Sequence, residues 1–165
     1  MTDEQEQKAW EALDRAGRKK AAAVLKEAGL ELPYAPCFDT VLVLREPSAP
    51  VVTKTAGGIH IPDKFQEEPE PKSVGTILAG GLKALDYFRD HGYLLGDRVQ
   101  VGRFAGWEKE FQLDQEGKNH RKVLQMAPGD LKGSFDLKER LYGKKPTMEI
   151  VYDETVGEHK IRPIV

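Results

Sequence analysis

The chain has 165 residues, which is room for about one domain. Its 25 Lys and Arg nearly balance its 27 Asp and Glu, giving a net charge of -2, and this argues against a protein that coats nucleic acid. No apolar run approaches the ~20 residues that span a bilayer, and the acidic, polar start MTDEQEQKAW predicts no signal peptide. The single cysteine, Cys37, forms no internal disulfide and indicates a reducing, cytoplasmic compartment.

The N-terminal segment, residues 1–33, predicts a helical extension. Residues 3–28 hold no proline and are rich in Ala, Glu, Lys and Gln, which are good helix formers. Their apolar positions form a broken stripe interrupted by Gly17, so the pattern indicates one helix or two short ones, docked through Trp10 and Leu13. Two other interpretations stay open, a solvated extension and a partner-binding helix, because a helix this polar gains little from packing on its own domain.

Short strands separated by turns are predicted through the middle of the chain. Runs of β-branched and aliphatic residues lie at 40–44, 74–78, 99–101 and 123–126. With 16 Gly and 10 Pro in the chain, this pattern indicates a small barrel or sandwich. The charged, proline-rich run 63–72 is expected to lack regular structure and to be a solvated linker, and a glycine bend is expected near Gly106.

A short helical segment and a turn interrupt these strands. Residues 82–91 predict a helical turn or two, with three apolar side chains on one side: Leu82, Leu85 and Phe88. In the turn that follows, Asp97 and Arg98 are expected to serve the turn geometry and an ion pair between strands or between subunits. Such pairs contribute little stability when they are exposed.

The C-terminal residues predict a helical turn and a hairpin. The helical turn is expected at 135–141. Residues 148–152 and 159–165 alternate in polarity on either side of the turn 153–158, which is typical of two antiparallel strands.

The sequence offers no positive reason to predict an enzyme. It contains no Gly-Lys-Ser or Gly-Lys-Thr phosphate loop, and Gly80-Gly81 lacks the third glycine of a dinucleotide fingerprint. The four histidines lie far apart and no Cys or His pair has zinc spacing, so neither a metal nor a cofactor is predicted. Cys37, at the entry to a strand, is expected to be a buried, inert thiol.

Six segments in a fixed order carry a family resemblance. They read Phe38-Asp-Thr-Val-Leu-Val-Leu-Arg45, Thr53-Lys-Thr-Ala-Gly-Gly-Ile-His-Ile-Pro62, Val74-Gly-Thr-Ile-Leu-Ala-Gly80, Leu95-Gly-Asp-Arg-Val-Gln-Val101, Arg103-Phe-Ala-Gly106, and Lys122-Val-Leu-Gln-Met126 with Gly129-Asp-Leu131. The series resembles the GroES-type co-chaperonins, the small lid proteins of the group I chaperonin. The resemblance implies a small irregular GroES-like β-barrel over 34–136. The predicted fold is therefore mainly β, with the helical extension 1–33 before the barrel and a hairpin extension, 137–165, after it.

The resemblance also implies a binding site and its partners. Residues from about 51 to 65 would form a mobile loop that binds a group I chaperonin and so assists protein folding in the cytoplasm. The contact residues would be Gly57, Gly58, Ile59, His60 and Ile61. The same resemblance implies a homo-oligomeric ring, which is a heptamer in the family. In agreement with the composition and the missing motifs, no enzymatic activity, cofactor, nucleic-acid partner or membrane contact is predicted.

Three departures from the family pattern keep other interpretations open. His60 stands in a tripeptide that is usually aliphatic, residues 80–95 replace the usual roof hairpin, and the two extensions have no counterpart in the compact domain. They are compatible with a phage-encoded protein. The alternative function is therefore a GroES-fold structural module of a virion or other assembly, which contacts partners through its extensions.

Two other interpretations compete with the co-chaperonin resemblance. The loop could be an ordinary glycine-rich surface hairpin, because Gly-Gly-Ile is a common sequence. An enzyme with a GroES-like domain, of the alcohol-dehydrogenase kind, is disfavoured because the chain is too short for the nucleotide-binding domain that such enzymes need.

Overall fold

In a computed structural model of the chain, residues 3–29, 31–32, 34–46, 56–60, 74–101, 107–112 and 120–164 are described, without the side chains of 107–112 and 120–122. Three helices are present: α1 Asp3–Ala28, α2 Leu82–His91 and α3 Phe135–Tyr142. A 3₁₀ turn spans Pro128–Asp130. The strands are β1 Val41–Arg45, β2 Val74–Gly80, β3 Arg98–Val101, β4 Trp107–Gln112, β5 His120–Met126, β6 Leu131–Ser134, β7 Met148–Asp153 and β8 Glu158–Pro163. The predicted run 63–72 and the bend near Gly106 lie outside the described residues.

Six strands form one antiparallel sheet in the order β4-β5-β1-β2-β3-β6, and β7 and β8 form a separate hairpin. Within the described residues β4 and β6 do not pair with each other, so the sheet is not closed there. The prediction of a mainly β, irregular barrel is confirmed only in part: the N-terminal helix, the antiparallel sheet and the C-terminal hairpin are present. The architecture is mixed α and β. Side chains of five strands form the larger cluster on one face of the central strands, to which α2 adds Ala84 and Phe88, and α1 packs on the other face.

Strand β1 shows how these faces are covered, because all five of its residues are buried. Val41 and Val43 join the larger hydrophobic cluster, to which α2 contributes. Leu42 and Leu44 point the other way, and partly buried residues from the C-terminal end of α1 pack against their cluster. Alternate side chains of a strand face opposite sides, so this continuous apolar run is buried on both faces, by residues of the other strands and α2 on one and by α1 on the other.

Helix α1 is one continuous helix docked on the domain. Trp10 is only 4% exposed, and its cluster contains Leu94 and Met148, with Leu13 packed against it. Gly17, the apparent break in the apolar stripe, is a point of close approach: a Cβ there would lie 2.6 Å from the carbonyl oxygen of Leu95. The prediction of docking through Trp10 and Leu13 is confirmed, and the solvated-extension interpretation is wrong.

Helix α2 spans the whole predicted segment, Leu82–His91, as one continuous helix, and one of the three apolar residues predicted to share a side points outward. Ala84 and Phe88 are buried, whereas Leu82 is 83% exposed. Leu82 precedes Ala84 by two residues, which places it about 200° around the helix from the buried face. The backbone amides of Lys83 and Ala84 both donate to the carbonyl of Phe38, at 2.9 and 3.1 Å, which satisfies the start of the helix.

The C-terminal helix and hairpin are confirmed. The hairpin pairs six residues on each strand, from Met148 opposite Pro163 to Asp153 opposite Glu158. Its base is attached to the body because Met148 is buried beside Trp10. Cys37, which was expected to be buried, is exposed, because it precedes β1 rather than entering it. No described helix has the length and apolar content required of a membrane span.

Candidate functional site

The predicted binding loop connects the two central strands of the sheet, β1 and β2. The Glu46 amide donates to the carbonyl of Val74 at 2.9 Å, directly beyond the last strand pair, Arg45 with Gly75. We call Glu46 and Val74 the loop stem. Between them, residues 56–60 are described and all five are exposed.

The described loop residues place an apolar side chain on the surface. Ile59 is 70% exposed. Gly58 before it has a φ of +84°, and a Cβ built there meets nothing within 4 Å. The glycine is therefore required by its left-handed backbone, not by lack of space. Gly57 and His60 are also exposed, while Ile61, the fifth predicted contact residue, lies outside the described residues.

The loop stem is attached to the next strand by an arginine. Nε and Nη2 of Arg98 donate to Oε1 and Oε2 of Glu46, at 2.5 and 3.2 Å. This two-bond geometry suits the planar guanidinium. The hydrogen bonds and charge of Glu46 raise the pKa of Arg98 above its ordinary value. The guanidinium also lies 4.9 Å from the ring centroid of Phe135, at the start of α3.

A second carboxylate connects Arg98 to both terminal segments. Oδ2 of Asp136 accepts from the Arg98 amide at 2.8 Å and from the Lys20 ammonium of α1 at 3.0 Å. Partial burial by itself raises the pKa of Asp136, but the Arg98 amide and Lys20 outweigh it and hold that pKa below its ordinary value. α1, α3 and β3 therefore meet at one ionised carboxylate.

The neighbouring residue, Asp97, turns inward. It is 2% exposed, and its two carboxylate oxygens accept from Nη1 and Nη2 of Arg140 at 2.8 and 2.5 Å. The Leu94 amide and the Ser134 hydroxyl donate to the same carboxylate. Asp97 was expected to serve the turn geometry and an ion pair. Its partner Arg140 lies on α3, 43 residues away, and no sequence motif links the two residues.

Two clefts lie along α1, and neither was predicted. One, of about 430 Å³, lies between α1 and α2 and is lined by Trp10, Asp14 and Leu85 among others. The other, of about 360 Å³, lies between the second half of α1 and β2, and it is lined mainly by apolar residues. Within the described ranges no three His, Cys, Asp or Glu residues converge into a group that could hold a metal ion.

The antiparallel sheet carries an exposed, glycine-containing segment between its two central strands, and loops held by a rigid scaffold are frequent positions of binding residues in proteins. No family model matches the chain. It is 32% identical over 103 residues to co-chaperonin GroES 1 of Rhodopseudomonas palustris, covering 62% of this chain and 95% of that protein. It is 34% identical to co-chaperonin GroES of Bartonella quintana, with 62% and 94% covered, and 36% identical to that of Ruegeria pomeroyi, with 61% and 96% covered.

The chain belongs to the GroES co-chaperonin family, because it spans nearly the whole length of these relatives. The resemblance drawn from the sequence motifs is therefore confirmed. Co-chaperonins of this family are not enzymes, in agreement with the sequence prediction. The division into domain and extensions and the phage origin stay predictions.

Proposed function

We propose that this protein is a co-chaperonin that binds a group I chaperonin through the β1–β2 loop and so assists protein folding. The observation that supports it most is the exposed Ile59 beside Gly58, on a loop between the central strands. The relatives are named co-chaperonins and are covered almost completely by the match. A cytoplasmic location follows from this role.

Binding would bury the apolar side chains of the loop. Ile59 and Ile61 insert into an apolar groove of the chaperonin, and Gly57 and Gly58 permit the turn that leads into it. Burying each isoleucine contributes about 1.5–3 kcal/mol, and ordering the loop offsets much of this gain. Affinity per subunit is then moderate. In a homo-oligomeric ring, a heptamer by the family resemblance, the copies add through multivalency.

His60 is the residue that distinguishes this loop from an all-aliphatic one. It is exposed in the structure, as are residues 56–59, and in an extended segment alternate side chains point to opposite sides, so His60 can face away from the groove that takes its two neighbours. We propose that its side chain points away from the chaperonin when Ile59 is inserted. Replacing it with Leu should then change affinity far less than replacing Ile59 with Asp.

The test is a binding measurement in ATP and in ADP, with the chaperonin purified from Rhodopseudomonas palustris as the probe. Wild type should bind in a nucleotide-dependent manner, while Ile59→Asp and Ile61→Asp should abolish detectable binding. Ile164→Asp is the matched control, since it makes the same change at an exposed isoleucine outside the loop. Equal binding by all three variants, or none by wild type, would contradict the proposal.

A second candidate function is a structural module that contacts a virion or other assembly through its extensions. It is favoured by the exposed apolar residues of the hairpin, Ile150, Tyr152 and Val156, which are 48%, 56% and 66% exposed. α1 is a poorer candidate for such a contact surface, because its apolar residues Trp10 and Leu13 are docked on the domain. This alternative predicts that Ile150→Asp prevents assembly while Ile59→Asp has little effect. Native mass spectrometry of the particle separates the two outcomes.

A further inference from the structure

Beyond the loop itself, the contacts at its stem assign a role to Arg98. We propose that Arg98 is a positioning residue. It attaches the loop stem to α1 and α3, so that the terminal helices determine the position at which the chaperonin-binding loop leaves the sheet. This inference rests on the proposed function for the identity of the partner. The attachment itself can be measured without any partner.

The first step is the geometry of the stem. Glu46 follows β1, and its amide donates to the carbonyl of Val74 at 2.9 Å. Arg98 lies on β3 and pairs with Thr76 of β2. Its side chain therefore extends across β2 and donates two hydrogen bonds to the Glu46 carboxylate. Of the two stem residues, Glu46 is thus fixed both through its backbone and through its side chain.

The second step is that Arg98 is itself held in place by the terminal helices. Its guanidinium lies over the ring of Phe135, 4.9 Å from the centroid. Its amide donates to Asp136 at 2.8 Å, and Asp136 also accepts from Lys20 of α1 at 3.0 Å. A continuous line of contacts therefore runs from α1 through α3 and β3 to the stem. Movement of either helix changes the support of Arg98.

The third step separates positioning from stability. The Arg98 and Glu46 side chains are 50% and 25% exposed, and exposed ion pairs contribute little to folding. Fixing a loop at its base does reduce the freedom that it loses when it binds. Loss of Arg98 should therefore weaken binding and loosen the stem, with little change in global unfolding.

The chain offers a matched control in a second arginine. Arg89 of α2 also makes one ion pair, with Asp14 at 3.5 Å, and also lies over an aromatic ring, Trp10 at 5.2 Å. Its side chain is 42% exposed. Arg89→Ala thus removes the same kinds of contact as Arg98→Ala at a place remote from the loop stem.

The experiment measures amide hydrogen exchange at Glu46 in the isolated full-length variants, and then their affinity for the Rhodopseudomonas palustris chaperonin. Arg98→Ala should speed exchange at Glu46 by about tenfold and weaken binding by about three- to tenfold. Arg98→Lys should be intermediate, because it keeps the charge and loses the two-bond geometry. Arg89→Ala should match wild type in both measurements.

The outcomes separate the two proposals. If Arg98→Ala and Arg89→Ala give the same exchange at Glu46, the positioning role is wrong, whatever the chaperonin does. If exchange at Glu46 rises but wild type binds no chaperonin, the attachment stands and the proposed function fails. If exchange rises and affinity stays at the wild-type value, Arg98 supports the stem without positioning the binding residues, and the inference is overturned.

Discussion

The turn at residues 94–97 and the loop stem are built in opposite ways, although Asp97 of the turn and Arg98, which binds the stem, are consecutive in the chain. The turn is enclosed: Gly17 of α1 approaches the Leu95 carbonyl, and Arg140 of α3 pairs with the buried Asp97. The stem is open, and its Arg98–Glu46 pair is partly exposed. The same two helices serve both regions, which indicates that the terminal segments stabilise the domain on one side and support the loop on the other.

The largest effect on the free energy of unfolding is expected at the buried carboxylate of the turn, Asp97. Asp97→Ala leaves Arg140, whose side chain is 14% exposed, without its carboxylate. Removing one partner of a buried pair costs about 3–5 kcal/mol. Urea denaturation should show this loss in the free energy of unfolding. Asp14→Ala, which removes the partner of Arg89 in an exposed pair, should cost less than about 1 kcal/mol; equal losses would erase the distinction between the two regions.

A smaller effect is expected from closing the space between α1 and the turn. Gly17→Ala introduces a Cβ 2.6 Å from the Leu95 carbonyl oxygen, so α1 must shift. The cost of about 1–3 kcal/mol for overpacking should exceed the helix propensity gained from alanine. Thermal unfolding checks this. Gly133→Ala is the control, because a Cβ there meets nothing within 4 Å; a Gly17→Ala protein as stable as this control would show that the approach is not tight.

The pH dependence of stability should report on Asp136. Its pKa is lowered in the folded protein, so its contribution is fully present above the ordinary carboxyl pKa of about 3.9. The contribution is lost as pH falls through the lower, folded pKa. The difference in unfolding free energy between wild type and Asp136→Asn should therefore be constant near neutral pH and shrink in acid. A difference that grows in acid would mean that the contacts of Lys20 and the Arg98 amide do not govern this group.

The smallest effect on stability is expected at Arg98. Arg98→Ala should leave the urea midpoint close to that of wild type, because the pair with Glu46 is partly exposed. The same variant should nevertheless differ from wild type in stem exchange and in binding. A large drop in the urea midpoint of Arg98→Ala would mean that Arg98, like Asp97, stabilises the fold, and the contrast between the stem and the turn would be wrong.

The elements that were predicted correctly depend on local signals. α1 follows from a long proline-free run of good helix formers, and the hairpin follows from alternating polarity on either side of a turn. The outward position of Leu82 was missed, because three apolar residues spread over nearly two helical turns do not show which of them faces the sheet. The small irregular barrel was inferred from short strands and the family resemblance, and neither reveals that α1 packs on one face of β1 and that α2 contributes to the cluster on the other.

The candidate loop was found because its Ala-Gly-Gly-Ile segment is contiguous in sequence, and the structure places Ile59 on the surface. The contacts of its stem could not be found this way. Glu46 and Arg98 are separated by 52 positions, and Lys20 and Asp136 by 116. Nothing in a single sequence pairs charges at such distances, since each residue type is also common on ordinary surfaces.

By itself the sequence determined the local elements, the family and the loop that is proposed to bind, because propensity, alternation and short motifs act over a few residues. Only the tertiary structure decided that the polar helix α1 docks rather than extending into solvent, with Gly17 at its close approach, that Asp97 faces inward and that Arg98 faces the stem. These outcomes depend on burial and on contacts between distant segments, and those exist only once the chain has folded.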